Sequence, residues 1–232
     1  MFKHEKQMLH PVEVEKANPT LGNLMQEQLG GANGEVTAGL TYFAQSFRIQ
    51  DPVIKDLFLD IAAEEFCHAE MVAQTVNMLN GNCKPDAKTT TVGGVEGCLV
   101  SRMTPMYANA SGYLWTAAYV NETGDLAADL LTDIANEQRA KTTYENLYRQ
   151  IPDKKVREVI DFLLNREEAH SAMFREAFNK IQDTGSLKDF GVTKDSKLYI
   201  NLSSPSPAHH DNLDNPQAPS FNNPDPGSSS VS

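Results

Sequence analysis

Twice in this chain a single glutamate precedes a Glu-x-x-His by the same distance. Glu35 stands before Glu65 and His68, and Glu137 stands before Glu167 and His170. From 35 to 65 and from 137 to 167 the gap is 30 residues, and each histidine follows three residues later. The repeat constrains the fold because these positions interrupt apolar stripes of helical period. One stripe reads Val156, Ile160, Leu163, Glu167, His170, Phe174, Ala177, Ile181, in steps of four and three. A second reads Ile54, Leu57, Ile61, Glu65, His68, Val72, Thr75, Leu79, and a third Leu126, Leu130, Ile134, Glu137, Lys141, Tyr144. Glu35 falls on the inward side of its own segment, between Ala32 and Gly39. Four helices thus each send a carboxylate inward at mid-length, and two add an imidazole. Burying a carboxylate costs on the order of several kcal/mol unless it is paired or bound to a cation. Within the stripes Lys141 is the one basic counter-charge, so four inward carboxylates call for two divalent cations. All six residues are candidate ligands on this count. Any one alone reads as a solvated glutamate or a hydrogen-bonded core histidine; the matched set does not.

Equal spacing is what two antiparallel hairpins of equal length need to bring their ligands to one level. The spacing predicts helices over 21–49, 53–79, 123–150 and 153–182, after an extended arm, 1–18, with a short strand. Asp51-Pro52 and Ile151-Pro152-Asp153 mark the hairpin turns, and Asn80-Gly81 caps the second helix. Residues 81–121 carry glycines and prolines without long periodicity, and a connection of that length crosses the fold. Two hairpins joined by one long crossover define an all-α, ferritin-like four-helix bundle over 19–182. From 183 to 232 the composition turns to Ser, Pro, Asn and Asp, which predicts an extended tail whose last residues are disordered.

Composition narrows the partners. The 232 residues carry a net charge of −11, which argues against nucleic acid or an anionic membrane surface as partner. No apolar run reaches the roughly 18 residues of a membrane span, and the first residues lack the apolar core of a secretory signal. Cys67, Cys83 and Cys98 match neither a disulfide framework nor a zinc site and read as reduced thiols of a cytoplasmic protein.

The segments EQLGGANGEVTAGLTYFAQSF, DIAAEEFCHAEMV and NREEAHSAMFREAF resemble the manganese catalases and the spore-coat proteins related to them. The likeness runs from the N-terminus through the fourth helix, and LYINLSSPSP continues it into the tail. Oxygen and nitrogen donors suit manganese and iron alike, so it is the resemblance that favours manganese. It implies two manganese ions per subunit, cycling between Mn(II)2 and Mn(III)2, that disproportionate hydrogen peroxide to water and oxygen. It implies Glu65 as the bridging ligand, Glu35 and His68 on one ion, and Glu137 and His170 on the other. Glu167 matches a family glutamate that lies beside the metals and moves protons. Tyr42, seven residues after Glu35, falls on the same face and is placed to orient a ligand carboxylate; an aromatic core residue is its plain alternative. Asp56 and Asp60 resemble aspartates that help hold a structural calcium, although a solvated face explains them as well. Asn136 stands where some relatives have arginine, which alters local charge or access. The resemblance further implies a homo-hexamer with tails packed on neighbours, the crossover residues Met103, Met106, Tyr107, Tyr113 and Trp115 reaching across. A spore-coat protein with a vestigial site and a ferritin-like di-iron oxidase or iron store are the rival readings.

Overall fold

A computed structural model of the chain describes residues 7–81 and 107–183. They fold as two helical hairpins. Helix α1 spans Pro19–Gly30, α2 Glu35–Ser46, α3 Pro52–Leu79, α4 Leu126–Gln150 and α5 Lys154–Asp183. The first arm, α1 with α2, packs along α3, and α4 packs along α5.

The local signals explain the boundaries. Asn18 caps α1, its side chain accepting from Thr20 and Leu21 N–H, with Pro19 in the first turn. Asp51 does the same for α3 ahead of Pro52, and Asp125 for α4. Asp153 accepts from the N–H of Lys155 and Val156 at the start of α5. Its other oxygen accepts from Glu15 N–H at 2.9 Å, so one carboxylate starts α5 and ties down the N-terminal arm. Gly81, at φ 78°, closes α3 in the left-handed region, as Asn80-Gly81 predicts.

Three expectations are corrected. The helix predicted over 21–49 is two helices, because Gly30, Gly31 and Gly34 give that stretch little helical preference. The break resets the stripe, and Ala32 and Phe47 face outward. The described part of the arm, 7–18, holds no strand. In α4 the inward face is Leu130, Asp133, Glu137, Ala140, Tyr144 and Leu147, one position off the apolar reading that took Ile134 and Lys141. Asp133 is buried there because the Gln45 amide donates to it at 3.1 Å. Lys141 sits at the surface, paired with Glu168 at 3.0 Å, and brings no positive charge to the centre.

Of the crossover, the stretch from 107 on lies against α1. A turn over Asn109–Gly112 joins a single antiparallel bridge between Ala108 and Leu114. Trp115 donates its indole N–H to Thr37 Oγ1 at 2.9 Å, and Ala117–Tyr119 forms a 3-10 turn. Met103, Met106 and the tail from 184 on lie outside the described residues.

The core forms two clusters, one above and one below the level of the glutamates. Met25, Leu29, Met71, Leu79, Ile151 and Ile160 belong to the first. Phe58, Ile61, Leu130 and Phe174 belong to the second. Between them lies a polar layer.

Candidate metal centre

Each element delivers its side chain to that layer for a local reason. Glu35 is the first residue of α2, where the free N–H groups of the helix end favour a carboxylate. Gly39, one turn on, lets α2 approach α3 closely: a Cβ there would stand 3.1 Å from the Phe66 ring and 3.3 Å from Glu65 Cβ. Glu65 and His68 lie one turn apart on α3, Glu137 lies mid-way along α4, and Glu167 and His170 lie one turn apart on α5. All six side chains are 0–2% exposed.

The six residues form two overlapping groups of donors. Glu35, Glu65, His68 and Glu167 make one; Glu65, Glu137, Glu167 and His170 make the other, with donor atoms within 4.8 Å of one another in each. His68 Nδ1 stands 3.3 Å from Glu65, 3.6 Å from Glu167 and 3.7 Å from Glu35. His170 Nδ1 stands 2.7 Å from Glu65 and 3.7 Å from Glu137. The two rings lie nearly parallel, 5.6 Å apart. Glu65 and Glu167 are common to both groups, and each Glu65 oxygen faces a different histidine.

This layer is not self-satisfied. Both Glu65 oxygens, all four ring nitrogens of His68 and His170, Glu137 Oε2 and Glu167 Oε1 are buried without a hydrogen bond. Orphaned carboxylate oxygens and imidazole lone pairs converging on common points fit a pair of small cations, and an all-protein hydrogen-bond network does not account for them.

The electrostatics agree. Burial, reinforced by the charge of Glu65, pushes the Glu35 carboxyl up to about 8. Burial and the neighbouring Glu65 raise Glu137, and burial with Glu65, Glu35 and Glu137 raises Glu167 well above the carboxylate range. For Glu65 burial acts in the same sense, but the close imidazoles of His170 and His68 outweigh it and hold the carboxyl low. Burial opposes a charge on His170, yet Glu137, Glu64 and Glu65 lift it to about 11. Without cations the cluster retains protons that cations would displace.

Two tyrosines hold two of the carboxylates. The Tyr42 hydroxyl donates to Glu137 Oε1, across the bundle rather than to Glu35 on its own helix. The Tyr144 hydroxyl donates to Glu35 Oε1 in return. Sequence reasoning assigned no role to Tyr144, although it follows Glu137 by seven residues just as Tyr42 follows Glu35. It also passed over Glu64 and Arg166. Glu64 stands 3.4 Å from His68 Nε2 and 3.2 Å from His170 Nε2, and Arg166 Nε donates to it at 2.6 Å. The contact with His68 is an i, i+4 pair on α3, but those with His170 and Arg166 join α3 to α5, where no spacing rule reveals them. Asn136 accepts from Arg139, whose Nε also donates to Asn33 at 3.1 Å, at the surface beside the centre. Asp56 and Asp60 are exposed on the outer face of α3 and belong to neither donor group.

Comparison with known proteins places this arrangement. The family model described as manganese containing catalase matches residues 1–219. A probable manganese catalase of Clostridium acetobutylicum is 58% identical over 97% of this chain and 99% of its own. Protein CotJC of Bacillus subtilis is 39% identical over 81% of this chain and 98% of its own. The crystal structure of KatB, a manganese catalase from Anabaena PCC7120, superposes with a TM-score of 0.75 at 39% identity, covering 88% of this chain and 92% of that one. The ferritin-like bundle predicted from the two hairpins is the fold these proteins share with it.

Proposed function

The chain belongs to the manganese-containing catalase family, and from that premise we infer that its buried centre disproportionates hydrogen peroxide, 2 H2O2 → 2 H2O + O2. The observation that carries the reading is the pair of overlapping donor groups that share Glu65 and Glu167.

We assign Glu65 to both manganese ions, Glu35 and His68 to one, and Glu137 and His170 to the other. Bound there, the two ions supply a two-electron redox couple that lets peroxide be oxidised in one turn and reduced in the next without releasing a one-electron oxygen radical. Glu167 reaches both halves of the centre, and its work is to take a proton from peroxide and return it to the departing oxygen. The Tyr42 and Tyr144 hydroxyls donate to Glu137 Oε1 and Glu35 Oε1 and so hold those carboxylates in place. The apolar clusters on either side exclude larger reductants. No described helix is long and apolar enough to cross a membrane. A cytoplasmic location, with the spore coat as the alternative, belongs to this proposal. So do a homo-hexamer with the tail, 183–232, on neighbouring subunits, and a structural calcium at Asp56 and Asp60.

The test is to count manganese and iron per subunit in the purified protein and follow oxygen release from peroxide in azide, which silences haem catalases. Near two manganese with rapid oxygen release supports the reading. Iron without oxygen release, as an iron store or di-iron oxidase would give, overturns it. Glu65→Ala is expected to lose both ions. Glu167→Ala is expected to keep them and lose rate by about 10²–10⁴. An empty site in Glu167→Ala makes Glu167 a ligand instead.

A further inference from the structure

We propose that Glu64 is a positioning residue serving both halves of the metal centre at once, a single carboxylate that fixes the tautomer and orientation of His68 and His170 together. The inference rests on the ligand assignment above.

The geometry is one-sided. Each histidine turns Nδ1 toward Glu65 and Nε2 toward Glu64. The two Glu64 oxygens divide the work, Oε1 at 3.4 Å from His68 Nε2 and Oε2 at 3.2 Å from His170 Nε2. A neutral imidazole carries one N–H. To offer Nδ1 as a lone pair to a metal it must keep the proton on Nε2, and a carboxylate facing Nε2 favours that tautomer. Among the described residues neither Nε2 makes a hydrogen bond, and Glu64 is the charged group that faces each of them.

Arg166 makes the carboxylate rigid. Its Nε donates to Glu64 Oε1 at 2.6 Å and its Nη2 to Oε2 at 3.3 Å, a two-point grip that fixes the carboxylate plane. The Glu64 side chain is 24% exposed and that of Arg166 31%, so the pair forms the solvent edge of a centre that is otherwise closed. The pair also joins the two hairpins: Glu64 precedes Glu65 on α3, and Arg166 precedes Glu167 on α5. A shift of either hairpin is therefore felt at both histidines. Tyr42 and Tyr144 differ in this respect, each holding one carboxylate.

The prediction is a joint effect. In Glu64→Gln the amide has one acceptor oxygen for two N–H groups, and its NH2 repels the other. Manganese is titrated anaerobically into metal-free wild-type protein and the variant against a competing chelator. We expect two ions in wild type and a loss of affinity of about 10–100-fold for both ions in Glu64→Gln. Zinc-loaded, 15N-histidine-labelled protein gives a second reading: both histidines carry the proton on Nε2 in wild type, and the tautomer becomes mixed in the variant. Arg166→Gln, which leaves the carboxylate in place but unpinned, is expected to weaken both ions together and by less. It decides the matter if Glu64→Gln does not fold. Unchanged affinity, or loss at one ion only, in whichever variant folds overturns the shared role. A wild type that fails to bind two ions overturns the ligand assignment itself, and this inference with it.

Discussion

A carboxyl group at the centre of a bundle responds to burial first and to its neighbours second, and the glutamates here show both outcomes. Glu35 is pushed up to about 8 by burial, while Glu65, just as buried, is held low by two histidines. The consequence for the metal-free protein has a definite sign. A carboxyl raised in the folded state stabilises the fold fully below its unfolded value near 4.5, and that contribution is lost as pH rises through the folded value, about 8 for Glu35. Glu137 and Glu167 act in the same sense. His170, lifted from 6.5 to about 11, begins to lose its contribution above 6.5. The metal-free protein is therefore expected to melt at lower temperature at pH 8.5 than at pH 5.5, by about 2–4 °C for each kcal/mol lost in a chain of this size. Manganese replaces the protons, so its affinity rises with pH and its binding releases them. Thermal melts with and without metal, and calorimetry in buffers of different ionisation enthalpy, measure both effects. The two tyrosines separate the halves of the centre. Tyr144→Phe leaves Glu35 Oε1 without its donor, and Tyr42→Phe does the same to Glu137. Each is expected to cost about 1–3 kcal/mol of affinity at one ion and little at the other, read from a two-site manganese titration.

At the scale of the element, the break between α1 and α2 matters most. It makes Glu35 the first residue of a helix instead of an interior one, and it lets the crossover lie against α1. Gly30 marks that contact: a Cβ there would stand 2.2 Å from Ala108 N and 2.5 Å from Tyr107 C, backbone atoms that cannot swing aside. Ala110 N–H also donates to Glu27 at 3.0 Å, and Asn23 donates to Ala110 O at 2.9 Å. Gly30→Ala is expected to displace the crossover and cost about 1–3 kcal/mol or more, measured by urea unfolding. Manganese stoichiometry is expected to persist, since the four ligand-bearing helices keep their packing. α3 and α5 were legible from the sequence nearly to the residue, because uninterrupted stripes and Asp caps declare themselves locally. α4 was legible in extent but not in phase. Its inward face includes Asp133, and hydrophobic periodicity reads a buried aspartate as a surface residue. Only the Gln45 amide, from another helix, makes that burial tolerable.

For the whole molecule, the net charge of −11 and the exposed Tyr107, Tyr113 and Leu114 pose the question of assembly. If tails bind subunits into a hexamer, truncation after Asp183 is expected to sediment as a smaller species than the full chain, while each bundle keeps its two ions. An unchanged sedimentation coefficient, after correction for mass, rules the tail out as the fastening.

The sequence by itself determined that four carboxylates and two imidazoles share one layer. Helical period fixes which residues share a face, and equal spacing in two hairpins fixes a common level. That is arithmetic along the chain, and it holds whatever the helices pack against. Only the tertiary structure decided which atom meets which across the helices: Tyr42 with Glu137, Tyr144 with Glu35, and Glu64 with His170 and Arg166. It also removed Lys141 from the centre. Those outcomes depend on the rotation of each helix about its axis, which is set by packing and by the burial of polar groups that find partners on other helices. Such partners lie a hundred residues away along the chain, where no local pattern records them.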